Sequence, residues 1–214
     1  MADTLSQACN TLTTHLARYP ALAVGLPLIG GFLSSLPIRA HIKEQYNSFD
    51  KPSWAAPAYI FPPAWTALSL SIGYSSHLVA LKTGPSIAPG IRDLARTGLL
   101  IYGANLALNW AWSPLMFWKR QYGAALATAG GLTTTAIAMS YFYFQVDNLA
   151  GYLTLPYIGW LCYATALNAD VWMKYGQGCA ADSARRMSKD AKGAAKDAKR
   201  AAKDTVEHVK DKDL

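Results

Sequence analysis

Five runs of this chain, roughly residues 20–41, 61–82, 95–117, 122–145 and 150–174, read as helices apolar and long enough to cross a bilayer, which takes about 20 residues each. No other feature restricts the fold so far, because a span must satisfy its backbone N–H and C=O groups without water. Composition agrees. The 214 residues are 52% hydrophobic and 15% charged, against roughly 25% charge in ordinary soluble domains. Ten of the 20 Lys and Arg lie between Arg185 and Lys212, so the five runs are more apolar than the average implies. The pattern predicts an all-α integral membrane protein: a five-transmembrane-helix bundle with a charged helical tail.

The same shifts in composition divide the chain into an N-terminal segment (1–19), the bundle (20–176) and the tail (177–214). The start, MADTLSQACNTLTTHLARYP, lacks the charged-then-apolar order of a cleaved signal and is poor in Arg for a presequence. Cys9, Cys162 and Cys179 are too few and too scattered for a disulfide framework or a metal cluster. Gly, Ala, Ser, Thr and aromatics fill the runs, as in helices that pack on one another. Small residues recur at four-residue spacing in Gly30/Ser34, Gly31/Ser35 and the series Gly123, Ala127, Gly131, Thr135, which predicts close helix contacts. Lys43, Lys51, Lys119, Arg120 and the basic tail fall on one side of a five-span arrangement. The positive-inside rule makes that side, and with it the C-terminus, cytosolic.

From Ala184 to Asp211 the chain reads ARRMSKD, AKGAAKD, AKRAAKD, TVEHVKD, four seven-residue units each ending Lys-Asp. Alanine favours helix, but a stripe made mostly of alanine buries little. Two readings stay open: a solvated helix that frays, or a basic helix lying on anionic headgroups. Without interleaved aromatics, the basic charge gives no case for nucleic acid.

Polar side chains inside a span are costly and face a bundle interior or cavity. In the third run Tyr102, Asn105, Asn109, Trp112 and Met116 are spaced three and four apart, so they share a face. In the fifth run Trp160, Ala164, Asn168 and Trp172 do the same, with Tyr163 and Leu167 beside them. Two faces of Trp and Asn predict an aromatic-lined cavity with a few hydrogen-bonding groups, suited to a flat, largely apolar ligand. Plain helix adhesion through Asn is the alternative. His77, late in the second run, is the one histidine placed to ligate a haem iron, and a simple hydrogen bond explains it as well. No metal site, phosphate loop or catalytic constellation is evident, and no cofactor is required.

KPSWAAPAYIFPPAWTALSLSIGYSSHLV, from Lys51, resembles the loop-and-second-helix signature of the translocator protein family, also called tryptophan-rich sensory or peripheral benzodiazepine receptor proteins. LALNWAWSPLMFW (Leu106–Trp118) resembles its third-helix motif and LPYIGWLCYATALNADVW (Leu155–Trp172) its fifth. The resemblance covers residues 20 to 176 and leaves the tail outside. It implies a five-helix transmembrane bundle whose long first loop closes over a cavity. Pro52, Pro57, Pro62 and Pro63 would stiffen that loop and hold Trp54 over the mouth. The resemblance carries ligand contact onto Trp54, Asn109, Trp112, Trp160, Ala164 and Leu167, to which the helix faces add Tyr102, Asn105, Tyr163 and Asn168.

The implied ligands are tetrapyrroles such as haem and protoporphyrin, sterols and benzodiazepine-type compounds, with the lipid bilayer and a second copy of the chain as further partners. Binding, transport or sequestration of the ligand is the expected activity. The rivals are light- and oxygen-dependent porphyrin breakdown, with Trp54 as its reactive residue, and a membrane scaffold that recruits partners through the tail. In a eukaryote the resemblance implies the mitochondrial outer membrane or the endoplasmic reticulum. Two departures stand out. Ala169 and Met173 replace the Tyr and basic residue of the family's sterol pattern at the end of the fifth helix, and Ser69 stands where the second-helix signature has Tyr.

Overall fold

The structure, a computed structural model, describes residues 13–36, 49–50 and 52–176. Every regular element among them is helical. A short helix at 13–18 precedes five long ones: α1 (Pro20–Ser35), α2 (Phe61–Ala80), α3 (Pro89–Ser113), α4 (Tyr122–Val146) and α5 (Asn148–Val171). Proline stands in the first turn of α1, α2 and α3, where its missing N–H has no helical partner to lose and its φ is already helical.

The helix starts correct one boundary. The third run was expected from residue 95, but α3 begins at Pro89 and takes Arg92 into its first turn. The proline outweighs the polar residues that follow it. At the other end Pro114 cannot donate to the helix, and the chain widens into a π turn over Pro114–Trp118, closed by Lys119 N–H on the Pro114 carbonyl at 3.0 Å. Arg120, with φ of 51°, reverses the chain into α4. Asp147 ends α4 and caps α5 by accepting from the Ala150 N–H at 3.0 Å.

Around the bundle, α3 packs on α4, α4 on α5, α5 on α2 and α2 on α1, while α1 and α2 both reach α3. One crossing is backbone on backbone. Pro27 leaves the Ala23 carbonyl without its i+4 donor, and that oxygen lies only 2.7 Å from where a Cβ on Gly73 would stand. Gly73 was not singled out from the sequence. Among the small residues that were, Gly30 seats against the Trp110 indole of α3, and a Cβ on Gly131 would lie 3.5 Å from Leu108. Gly31 meets nothing within 4 Å, and Ser34 and Ser35 return their hydroxyls to their own helix.

Hydroxyls join the helices elsewhere. Ser71 and Ser75 of α2 each donate to an α5 carbonyl at 2.6 Å, and Thr154 donates to Ser140 at 2.7 Å. Ser76 and Tyr143 pair at 2.9 Å.

Helices α3 and α4 each have 25 residues, about 37 Å at 1.5 Å per residue. Among the described residues, however, no helix is both long and apolar enough to cross a membrane. The runs were expected to be apolar as well as long enough, and their Ser, Thr, Gly and Asn content holds the hydropathy down. The chain divides into two compact units, Met1–Met173 and Lys174–Leu214. The heptad tail and residues 37–48 and 51, before α2, lie outside the described residues.

Candidate functional site

A cavity of about 870 Å³ lies at the end of the bundle where α1 and α3 finish, α2 starts and α5 ends. Its wall is aromatic and aliphatic: Phe61 and Trp65 from α2, Trp112 from α3, then Met116 and Phe117 from the π turn, with Leu132 and Leu161 behind. No acidic, basic or histidine side chain is among the described residues that line it. Helix α1 contributes eight of the nine residues from Pro27 to Ser35, and the exception is Gly30, the residue pressed on Trp110.

Several polar groups on the wall have protein partners. Trp112 Nε1–H donates to Asn168 Oδ1 at 3.2 Å, and Asn168 Nδ2 donates to the Ala164 carbonyl at 2.8 Å. Thr165 pairs with Thr133 at 3.0 Å. Behind the wall, Asn105 Nδ2 donates to the Leu132 carbonyl at 2.9 Å and to Thr135 Oγ1 at 2.8 Å. Tyr157, fully buried, donates its hydroxyl to Asn105 Oδ1 at 2.8 Å and accepts from Asn109 Nδ2 at 3.4 Å.

Of the residues picked out from sequence, Asn109, Trp112, Ala164, Leu167 and Asn168 lie on the cavity wall. Tyr102 and Asn105 are buried one layer behind it, at 2% and 0% exposure. Trp54, Trp160 and Tyr163 are absent from the described wall and form an aromatic cluster instead. Trp54 is half exposed and stands edge-on to Tyr163 at 5.8 Å, Tyr163 meets Trp160 at 5.4 Å, and Trp160 meets Phe61 at 5.5 Å. The Tyr163 hydroxyl also accepts from the Ala56 N–H at 2.7 Å, which ties the proline-rich segment to α5. His77 lies two turns of α2 beyond Ser69, the last wall residue of that helix, with Nδ1 2.8 Å from the Leu16 carbonyl oxygen.

Sequence reasoning missed Leu161 and Thr165, because centring the α5 face on Trp160 rotates it by about one residue. The spacing 157, 161, 164, 168 carried the signal. The α1 wall had no signal, since a run of Leu, Gly, Phe and Ser looks the same on every face.

Comparison with known proteins puts residues 23–173 in register with the profile described as the TspO/MBR family. The translocator protein of Sus scrofa is 39% identical over 158 residues, covering 72% of this chain and 88% of the relative. The Homo sapiens translocator protein is 36% identical over 154 residues, with the same two coverages. The tryptophan-rich sensory protein of Cereibacter sphaeroides is 34% identical over 125 residues, 58% of this chain and 73% of the relative.

Proposed function

The chain belongs to the TspO/MBR family, and from that premise we propose a membrane-embedded protein whose cavity binds flat, largely apolar ligands. The ligand classes are tetrapyrroles, haem or protoporphyrin, and sterols, which the protein sequesters or carries. The observation that carries this reading is the cavity itself: about 870 Å³, walled by Trp65, Trp112, Phe61 and Phe117, with no charged side chain among its described lining. Such a space favours apolar rings, which bury their faces against aromatic walls.

The membrane part of the reading rests on the outer surface. Residues 61–81, 97–118, 121–146 and 148–169 contain no Asp, Glu, Lys or Arg, whereas a water-facing surface carries roughly a quarter to a third charged residues. Leu70, Leu100, Ile137, Tyr152 and Leu155 stand exposed on the helices. Lipid is the environment that accepts them. A bundle can meet lipid with such an exterior although its interior Ser, Thr and Asn lower each helix's hydropathy. The ten Lys and Arg of the tail support a cytosolic C-terminus.

The test is a titration of the protein, reconstituted in lipid nanodiscs, with protoporphyrin in the dark. Saturable, reversible quenching of tryptophan fluorescence is the expected result. Quenching that rises linearly and matches partition into protein-free discs would overturn the ligand reading. Release of the protein from membranes by alkaline carbonate would overturn the membrane reading.

A further inference from the structure

We propose that the cavity presents a hydrogen-bond acceptor of fixed polarity, the Asn109 carbonyl oxygen, and therefore selects ligands that donate a hydrogen bond there. This rests on the reading of the cavity as a ligand site. The polarity follows from a relay that starts on the backbone. The Leu132 carbonyl can only accept, so the Asn105 group 2.9 Å from it must be the amide NH2. Asn105 Oδ1 then faces Tyr157 and accepts its hydroxyl proton at 2.8 Å. A phenol has one proton. With that proton committed, the Tyr157 oxygen can serve Asn109 only as an acceptor, which turns the Asn109 NH2 toward it at 3.4 Å.

The carbonyl end of the Asn109 amide is left without a donor among the described residues, on a residue that lines the cavity. An amide in a helix would otherwise flip freely, and here three linked bonds remove the choice. The other amide of the wall offers no such end, because Asn168 accepts from Trp112 and donates to Ala164. Ser113, one turn along α3, is a rotor that serves either polarity and does not discriminate. Among apolar molecules of one shape, the cavity thus favours a hydroxyl or a pyrrole N–H over a ketone or an ether. Tyr157 is the positioning residue that sets the preference without lining the cavity.

The experiment compares a 3-hydroxysteroid with its 3-keto analogue on the full chain in nanodiscs, each affinity corrected for partition into empty discs, with protoporphyrin binding as the control. A net hydrogen bond is worth about 3- to 10-fold in affinity, so the hydroxysteroid should bind tighter by that factor. In Asn109→Leu the preference should disappear. In Tyr157→Phe the Asn109 amide is freed to turn, so the hydroxyl-to-ketone ratio should approach one while porphyrin binding persists. A merely structural role for Tyr157 would weaken both steroids equally and keep the ratio. The inference fails alone if porphyrin binds but the wild-type protein holds the two steroids equally, prefers the ketone, or holds neither. Failure of all three ligands overturns the ligand reading itself, and the inference with it. The wild-type comparison decides the matter even if Tyr157→Phe does not fold.

Discussion

Trp112 and Trp160 carry the same side chain on facing helices, yet they do different work. Trp112 forms part of the cavity wall and is held in place by its indole N–H on Asn168 and an edge contact with Phe117 at 5.7 Å. Trp160 stands outside the described wall, between Phe61 and Tyr163. Replacing Trp112 by Ala should therefore weaken protoporphyrin binding by about 1–3 kcal/mol, on the scale of bases stacked on aromatic side chains. Trp160→Ala should cost less affinity and more thermal stability, because it empties a packed cluster instead of a ligand contact. Fluorescence titration beside thermal unfolding in detergent separates the two. Equal losses of affinity in both variants would count against the wall described here.

At the scale of elements, the glycines of α1 and α2 show which contacts hold the bundle. Gly73 meets the backbone of Ala23 and Val24, and neither can yield as a side chain does. Gly73→Val should lower stability by about 1–3 kcal/mol, toward the upper end for an overpacked site. Gly31→Ala faces open space and should leave stability unchanged or raise it by up to about 1 kcal/mol through helix propensity. Thermal unfolding of the two variants checks the pair. The proline-rich segment is an element of another kind, fastened to α5 through the Ala56 N–H on Tyr163. Gly at Pro57 and Pro62 together, or Phe at Tyr163, should speed ligand dissociation more than it slows association, because preorganisation is what is lost. An unchanged off-rate in stopped flow would remove this segment from the binding site.

For the whole molecule, the cavity draws its described lining from residues 27 to 171, and the chain divides into units after Met173. Deleting residues 177–214 should leave protoporphyrin affinity within experimental error, and a truncated protein that folds but no longer binds would refute that division. How much of this was legible follows from the forces involved. Helix content and most helix boundaries were determined by the sequence alone, because turn chemistry acts locally: proline in the first turns of α1 and α2, Asp147 at the α4–α5 corner. The polar face of α3 was legible for the same reason, since Asn105, Asn109 and Trp112 share it by helical geometry whatever packs opposite. Tertiary structure alone decided which of those residues reach the cavity. Asn105 is covered because Leu132 of α4 and Tyr157 of α5 close over it, whereas Asn109 stays on the cavity wall. The polarity of Asn109 depends on the Leu132 carbonyl of α4 and the Tyr157 hydroxyl of α5, residues 23 and 48 positions away in the chain. No local pattern could encode that, because a side-chain amide has no preferred orientation until its neighbours supply one.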